Sequence, residues 1–203
     1  MSAEQQTTGR PRAFDEQAVL HRAAEVFWRH GYDGTSLRAL TDAMGINRPS
    51  LYATFGSKEQ LFKRAFDRYH DTQVATARAA LDQPSAFASI EAFLRSSADG
   101  LTADGKPAGC FSIQGGLACS PENARISEAL AAGRAATEAA LRERLSRAAA
   151  EGDLPAGVDP AALARFVMAL SEGHAVHAGA GASRADLHAS VDIAMRVLAR
   201  SEQ

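Results

Sequence analysis

At 203 residues with 46% hydrophobic content, the chain can form one large domain or two small ones and has ample apolar side chains for a core, which excludes wholesale disorder. A net charge of −2 excludes a bulk nucleic-acid coat, so any DNA contact has to come from a local patch. Residues 1–70 supply a basic excess, 10 Lys and Arg against 8 Asp and Glu, while the remainder is net acidic.

The opening "MSAEQQTTGRPR" has no apolar stretch of the secretory kind, and no run approaches the ~18 apolar residues of a membrane span. The chain is therefore read as cytoplasmic, with no membrane partner. Residues 1–13 read as a flexible basic arm from which Arg10 and Arg12 can reach a minor groove or phosphates. Beyond it, apolar residues recur at helical spacing, alternating strand-type runs are missing and Ala is abundant, which predicts an all-α chain of about nine helices.

Asp15 can cap the first helix, whose stripe is Val19, Leu20, Ala23, Ala24, Val26 and Phe27, and Gly31 ends it. Thr35 or Ser36 caps a short second helix, Leu37–Met44, with Leu37, Leu40 and Met44 inward and Gly45 as its stop. Asn47 caps a third that carries Pro49 in its first turn, where the missing N–H costs nothing; Gly56 ends that one. Ser57 and Gln60 form a Ser-x-x-Gln capping box opening a long fourth helix through Leu61, Phe62, Ala65, Phe66 and Tyr69. Ser85 starts a fifth with Phe87, Ile90, Phe93 and Leu94, fading near Asp99 and Gly100 before the loop "TADGKPAG". Residues 110–119 are expected to be a short helix, 122–151 a long one opened by Pro121, and "EGDLPAGVDP" a connector. Asp159-Pro160 opens the next helix and Ser183-x-x-Asp186 caps the last.

Two short helices joined through Gly45-Ile46-Asn47 have the spacing of a helix-turn-helix, whose second helix enters the major groove while the first crosses the backbone. Leu40, Ile46 and Leu51 can pack the two together, leaving Arg48, Pro49, Ser50, Ala53 and Thr54 available to the groove. Arg48 matches guanine O6 and N7 with its fork of donors. Thr35, Ser36, Tyr52 and Lys58 can donate to phosphates, which fix register without reading sequence.

The stretch "GYDGTSLRALTDAMGINRPSLYATFGSKEQLF", residues 31–62, resembles the N-terminal domain of the tetracycline-repressor (TetR) family of bacterial transcription regulators. The matching positions are Gly31-Tyr32, Thr35, Met44-Gly45-Ile46-Asn47, Leu51-Tyr52, Phe55 and Ser57-Lys58-Glu59-Gln60-Leu61. Met44 and Asn47 replace the family's usual Ala and Ser, and Pro49 stands where Gly is frequent; these changes bear on operator sequence. The resemblance implies phosphate contacts at Thr35, Tyr52 and Lys58, groove contacts around Arg48, Pro49 and Ser50, and a divergent helical C-terminal domain that binds an effector and dimerises. The domains expected are then the flexible basic arm 1–13, whose Arg12 is a DNA-binding candidate, a helix-turn-helix DNA-binding domain 14–60, and an effector-binding and dimerisation domain 61–203.

In the C-terminal half, Ala164, Val167, Met168 and Ser171 on one helix and Val191, Ala194, Met195 and Leu198 on the last form stripes. In the family such helices make a four-helix bundle between two subunits, and the same stripes can equally close a monomeric core. Phe66, Tyr69, Phe93, Cys110, Phe111 and Gln114 can line an effector pocket; core packing explains them as well. Two cysteines, Cys110 and Cys119, are read as free thiols, either small buried hydrophobes or a thiol sensor. His174 and His177 sit as H-x-x-H, but no third ligand is evident nearby, so no metal and no cofactor is expected. No phosphate loop, Ser-His-Asp set or carboxylate pair supports an enzyme. The function expected is a homodimeric repressor released from double-stranded operator DNA by a small-molecule or thiol-reactive effector. A ligand-binding or interaction protein that has lost operator binding is the alternative.

Overall fold

The computed structural model describes residues 15–116 and 119–199. Among them the chain is helical throughout, with nine α-helices and one 3-10 turn. They are α1 (Glu16–Gly34), α2 (Leu37–Met44), α3 (Arg48–Phe55), α4 (Lys58–Leu81), α5 (Ala86–Leu101), α6 (Phe111–Gln114), α7 (Ala124–Ala150), α8 (Pro160–Gly179) and α9 (Arg184–Ala199). Arg10 and Arg12 lie outside the described residues.

Local side-chain chemistry sets most boundaries. Asp15 accepts from the N–H groups of Gln17 and Ala18 at the start of α1. Ser36, rather than Thr35, caps α2 by accepting from Ala39 N at 3.0 Å, and Asn47 caps α3 by accepting from Ser50 N at 2.9 Å. Each cap satisfies an N–H that the first helical turn leaves without a partner. Ser57 does the same for Gln60 N at 3.1 Å, and Ser183 and Asp186 bond reciprocally at the start of α9. Gly31 interrupts α1 with φ 67 and ψ 173, and Gly45 ends α2 with φ 68. A side chain in that left-handed region clashes with its own backbone, which is why glycine holds these two corners.

Three apolar clusters hold the helices together. The first gathers Phe27, Trp28, Leu40, Met44, Leu51 and Phe55 from the N-terminal helices with Leu61, Phe62, Phe66, Phe111, Ile126 and Leu130. The expected domain boundary between residues 60 and 61 therefore falls inside α4, in a helix and a core that both parts share. The second cluster joins the far half of α4 to α5, α7, α8 and α9, and a small third one joins Ala98 and Leu101 to Ile113, Ala175, Ala178 and Leu187. Arg144, only 7% exposed, closes the end of α4 by donating to the carbonyls of Leu81 and Gln83. Losing a buried partner of this kind costs about 1–3 kcal/mol.

The helix expected over 110–119 is a correction. Among the described residues of that stretch only Phe111–Gln114 is helical, and a separate 3-10 turn, Pro121–Asn123, precedes α7. Two adjacent glycines follow α6, each about 1 kcal/mol poorer than Ala in a helix, and the backbone there is closely packed. A Cβ on Gly115 would stand 2.7 Å from the Phe111 carbonyl oxygen, and one on Gly116 would stand 2.4 Å from Leu130 Cδ1. A side chain at either position would meet α6 or α7.

Candidate nucleic-acid interface and ligand cavity

The apolar side of α3, Leu51 and Phe55, is 0% and 3% exposed and packs with Leu40 and Met44 of α2 in the first cluster. Burying that side turns the opposite one outward. Arg48, Pro49, Tyr52 and Ala53 are exposed, and Ser50 and Thr54 are half-buried. Tyr52 stands out, an aromatic side chain 47% exposed. Asn47 and Ser36 are exposed while their side-chain oxygens serve as caps.

Two of the residues expected to meet phosphate have other partners in this conformation. Thr35 is 2% exposed, and its hydroxyl donates to the Gly31 carbonyl at 2.6 Å, bracing the corner before α2 instead of facing solvent. Lys58 places Nζ 4.3 Å from the centre of the Tyr32 ring, and its burial moves the amine below the usual lysine range.

A cavity of about 100 Å³ lies among α4, α5, α6, α7 and α8. Of the expected lining, Tyr69, Phe93 and Cys110 are there. Phe66 and Phe111 are not: they are core residues, 6% and 0% exposed, with ring centres 5.8 Å apart. Gln114 faces a separate cleft with Trp28 and Gly179. The cavity wall includes polar groups that sequence reading missed, among them Gln73, Thr76, Ser97, Arg134, Ser171 and Glu172. Ser97 and Ser171 pair at 2.9 Å, and Arg134 donates to the Ser112 carbonyl at 2.6 Å with Glu172 3.4 Å away. The Cys110 sulfur lies 3.3 Å from the Tyr69 hydroxyl and 3.0 Å from Ser112 Oγ. Burial holds the Tyr69 phenol well above its ordinary range, so it is neutral at physiological pH. Such a wall suits a small molecule with an apolar body and a few hydrogen-bonding groups.

The stripes expected to form a subunit interface are a second correction. Ala164, Val167, Met168, Val191 and Ala194 are between 0% and 6% exposed within a single chain, and Met195 and Leu198 pack against the same core. Ser171 faces the cavity. The apolar side chains that α8 and α9 turn outward are others: Phe166 at 46%, Val176 at 55% and Ile193 at 57% exposed. Of the two histidines, His174 is buried with Nε2 2.7 Å from Ser190 Oγ and His177 is exposed. Among the described residues no group of three metal-ligating side chains converges, and no helix is long and apolar enough to cross a membrane.

Known proteins share this architecture. Residues 19–65 match the family model of bacterial regulatory proteins, tetR family, and residues 86–194 match the tetracyclin repressor-like C-terminal domain. The HTH-type transcriptional repressor ComR of Escherichia coli K12 is 36% identical over 177 residues, covering 86% of this chain and 84% of its own. A solved structure of a cysteine-substituted form of the TetR family transcriptional regulator CifR, complexed with 26-base-pair operator DNA, is 41% identical with a TM-score of 0.89 and covers 94% of this chain and 100% of its own. A TetR regulator from Rhodococcus sp. RHA1 is 42% identical with a TM-score of 0.62, over 90% of this chain and 98% of its own.

Proposed function

The chain belongs to the TetR family of bacterial regulatory proteins, and from that premise we propose that it is a homodimeric repressor that binds operator DNA through α2 and α3 and is released by an effector in the α4–α8 cavity. The effector is a reversible small molecule or a thiol-reactive one that modifies Cys110. The observation that carries this reading is the double role of the segment around α6. Cys110, Ser112 and Ile113 line the cavity, while the Gly115 carbonyl just beyond accepts from Tyr32 N–H at 3.2 Å, at the corner that leads into α2. A molecule that shifts α6 therefore pulls on the helix-turn-helix. Only an effector with higher affinity for the DNA-incompetent conformation can release the operator, since equal affinity for both states shifts nothing.

The exposed apolar face of α8 and α9 supports a dimer built on Phe166, Val176 and Ile193. A dimer suits the geometry of recognition, because one short helix reads few base pairs and two held about 34–36 Å apart read half-sites one turn apart. The DNA partner is supported by the operator complex of CifR and by the exposed Arg48 and Tyr52. A gel-shift and footprint with the promoter next to its own gene test the proposal. Protection of two half-sites about one turn apart is expected; absence of any preference for that DNA over random sequence overturns it.

A further inference from the structure

The outward side of α3 carries two parallel rows. Residues four apart are neighbours on a helix surface, so Arg48 and Tyr52 form a polar row, and Pro49 and Ala53 form an apolar row beside it. All four are exposed, while Leu51 and Phe55 on the other side of the helix are committed to the core. Neither Pro49 nor Ala53 has a side-chain donor or acceptor. Neither can read the hydrogen-bonding pattern of a base edge. The major groove offers one apolar group, the C5-methyl of thymine.

We propose that Pro49 and Ala53 are specificity-determining residues that read thymine methyl groups next to the base pair contacted by Arg48. This inference rests on the operator-binding reading above. Spacing supports it: four helical residues rise about 6 Å, close to two base-pair steps at about 3.4 Å each. An apolar row of that length meets methyl groups one or two steps apart, not a single isolated one. The neighbouring polar side chains leave it that role. Ser50 and Thr54 are half-buried, so the exposed surface between Arg48 and the C-terminal end of α3 is mainly that of Pro49, Tyr52 and Ala53. The half-site is therefore expected to hold a guanine flanked by thymines on the strand that faces the apolar row.

Replacing thymines of the footprinted operator one at a time with deoxyuridine removes only the methyl, and affinity is read by fluorescence anisotropy with the full-length protein. One or two positions per half-site should lose about fourfold each, the worth of one buried methyl-sized group, while uridine outside the footprint changes nothing. Ala53→Gly and Ala53→Ser should each weaken the native operator by a similar factor and abolish the penalty for uridine at one position. The serine variant keeps a Cβ, so its result stands if glycine loosens α3, and helix content by circular dichroism checks both. Uniform tolerance of uridine by a tightly binding protein overturns the assignment, as does a methyl effect that persists undiminished in both Ala53 variants and in Pro49→Ser. Absence of operator binding by the unaltered protein overturns the operator-binding reading itself, and is a separate result.

Discussion

The amide of Tyr32 donates to the carbonyl of Gly115 at 3.2 Å, joining the last turn of α1 to the end of the segment that floors the cavity. Next to it, Asp33 accepts from the backbone N–H of Ser120 and from the Asn123 side chain, and these donors hold its carboxyl below the usual range. The two contacts span the boundary between the helix-turn-helix and the rest of the chain at residues adjacent to the Gly31 corner. The aromatic stack backs them, with Trp28 5.1 Å from Tyr69 and 6.1 Å from Phe111, centre to centre. Packed cores move between discrete arrangements more readily than they stretch. These contacts are the route by which the proposed effector would reach Trp28 and Tyr32 from Tyr69 or Cys110.

Arg48 and Lys58 are expected to separate base reading from phosphate binding. Arg48→Ala should weaken the cognate operator by about 1–3 kcal/mol and relax preference at one base. Lys58→Ala should weaken cognate and random DNA alike and reduce the salt dependence by about one counterion. It should also lower thermal stability slightly, since the Lys58 ammonium lies on the Tyr32 ring, a contact of about 0.5–1 kcal/mol. Equal losses on both DNAs for both variants would sink the division of roles.

The proposed subunit interface can be told from the core by two adjacent residues. Phe166→Glu places a charge on the outward face of α8 and should yield a folded monomer by sedimentation, with operator affinity lost because two half-sites are no longer held together. Val167→Glu buries an unpaired carboxylate at a position 0% exposed and should collapse the melting transition instead. A Phe166→Glu protein that sediments as a dimer would remove α8 from the interface.

Acidification should cost stability through His174. Burial lowers its pKa first, with the nearby His177 and His188 adding to it, so the folded state favours the neutral ring. The unfolded chain takes up its proton near pH 6.5 and binds more protons than the folded one between the two pKa values. Stability therefore rises with pH across that window and falls as pH drops below about 6.5. Thermal melts from pH 7.5 to 5 should show the slope, and His174→Gln should flatten it; an unchanged slope in that variant assigns it to other groups.

Much of the architecture is legible in sequence because adjacent residues decide it. Asp15, Ser36, Asn47 and Ser57 each close a helix start with a bond to a residue two or three positions on, and glycine marks the corners at 31 and 45. Where two faces of one helix are both apolar, the pattern fails. On α8 and α9 the periodicity of Val167 and Val191 is as good as that of Phe166 and Ile193, and only the packing of α5 and α7 decides which is inside. The close approach of Gly116 to Leu130 is a long-range contact, and the cavity wall draws Gln73, Ser97, Arg134 and Ser171 from four helices. Neither follows from a local window. Thr35 reads in sequence as a helix cap or a phosphate donor, but its hydroxyl's bond back to Gly31 leaves it inside.

The two cysteines should respond unequally to a thiol-reactive effector. Cys119 packs against the first apolar cluster, and burial, with the nearby Asp33 carboxylate, pushes its thiol above the ordinary range; a smaller thiolate fraction makes it the slower nucleophile. Cys110 opens onto the cavity between two hydroxyl groups, Tyr69 and Ser112, that can stabilise charge developing on sulfur. When its sulfur adds to a quinone, the new S–C bond places a ring in a cavity of about 100 Å³, and the thiol proton ends on the quinone's oxygen. The ring has to displace α6 or Tyr69. Because Gly115 holds Tyr32, that displacement should reach α2 and α3 and lower operator affinity at least tenfold. Mass spectrometry after brief treatment with a small benzoquinone should find the adduct on Cys110 first, with DNA affinity lost in step. Cys119→Ser should respond as the unaltered protein does, and Cys110→Ser should keep its affinity. If Cys110→Ser is released just as readily, or if the adduct forms on Cys110 without loss of affinity, the thiol route fails and a reversible ligand in the same cavity is left as the effector.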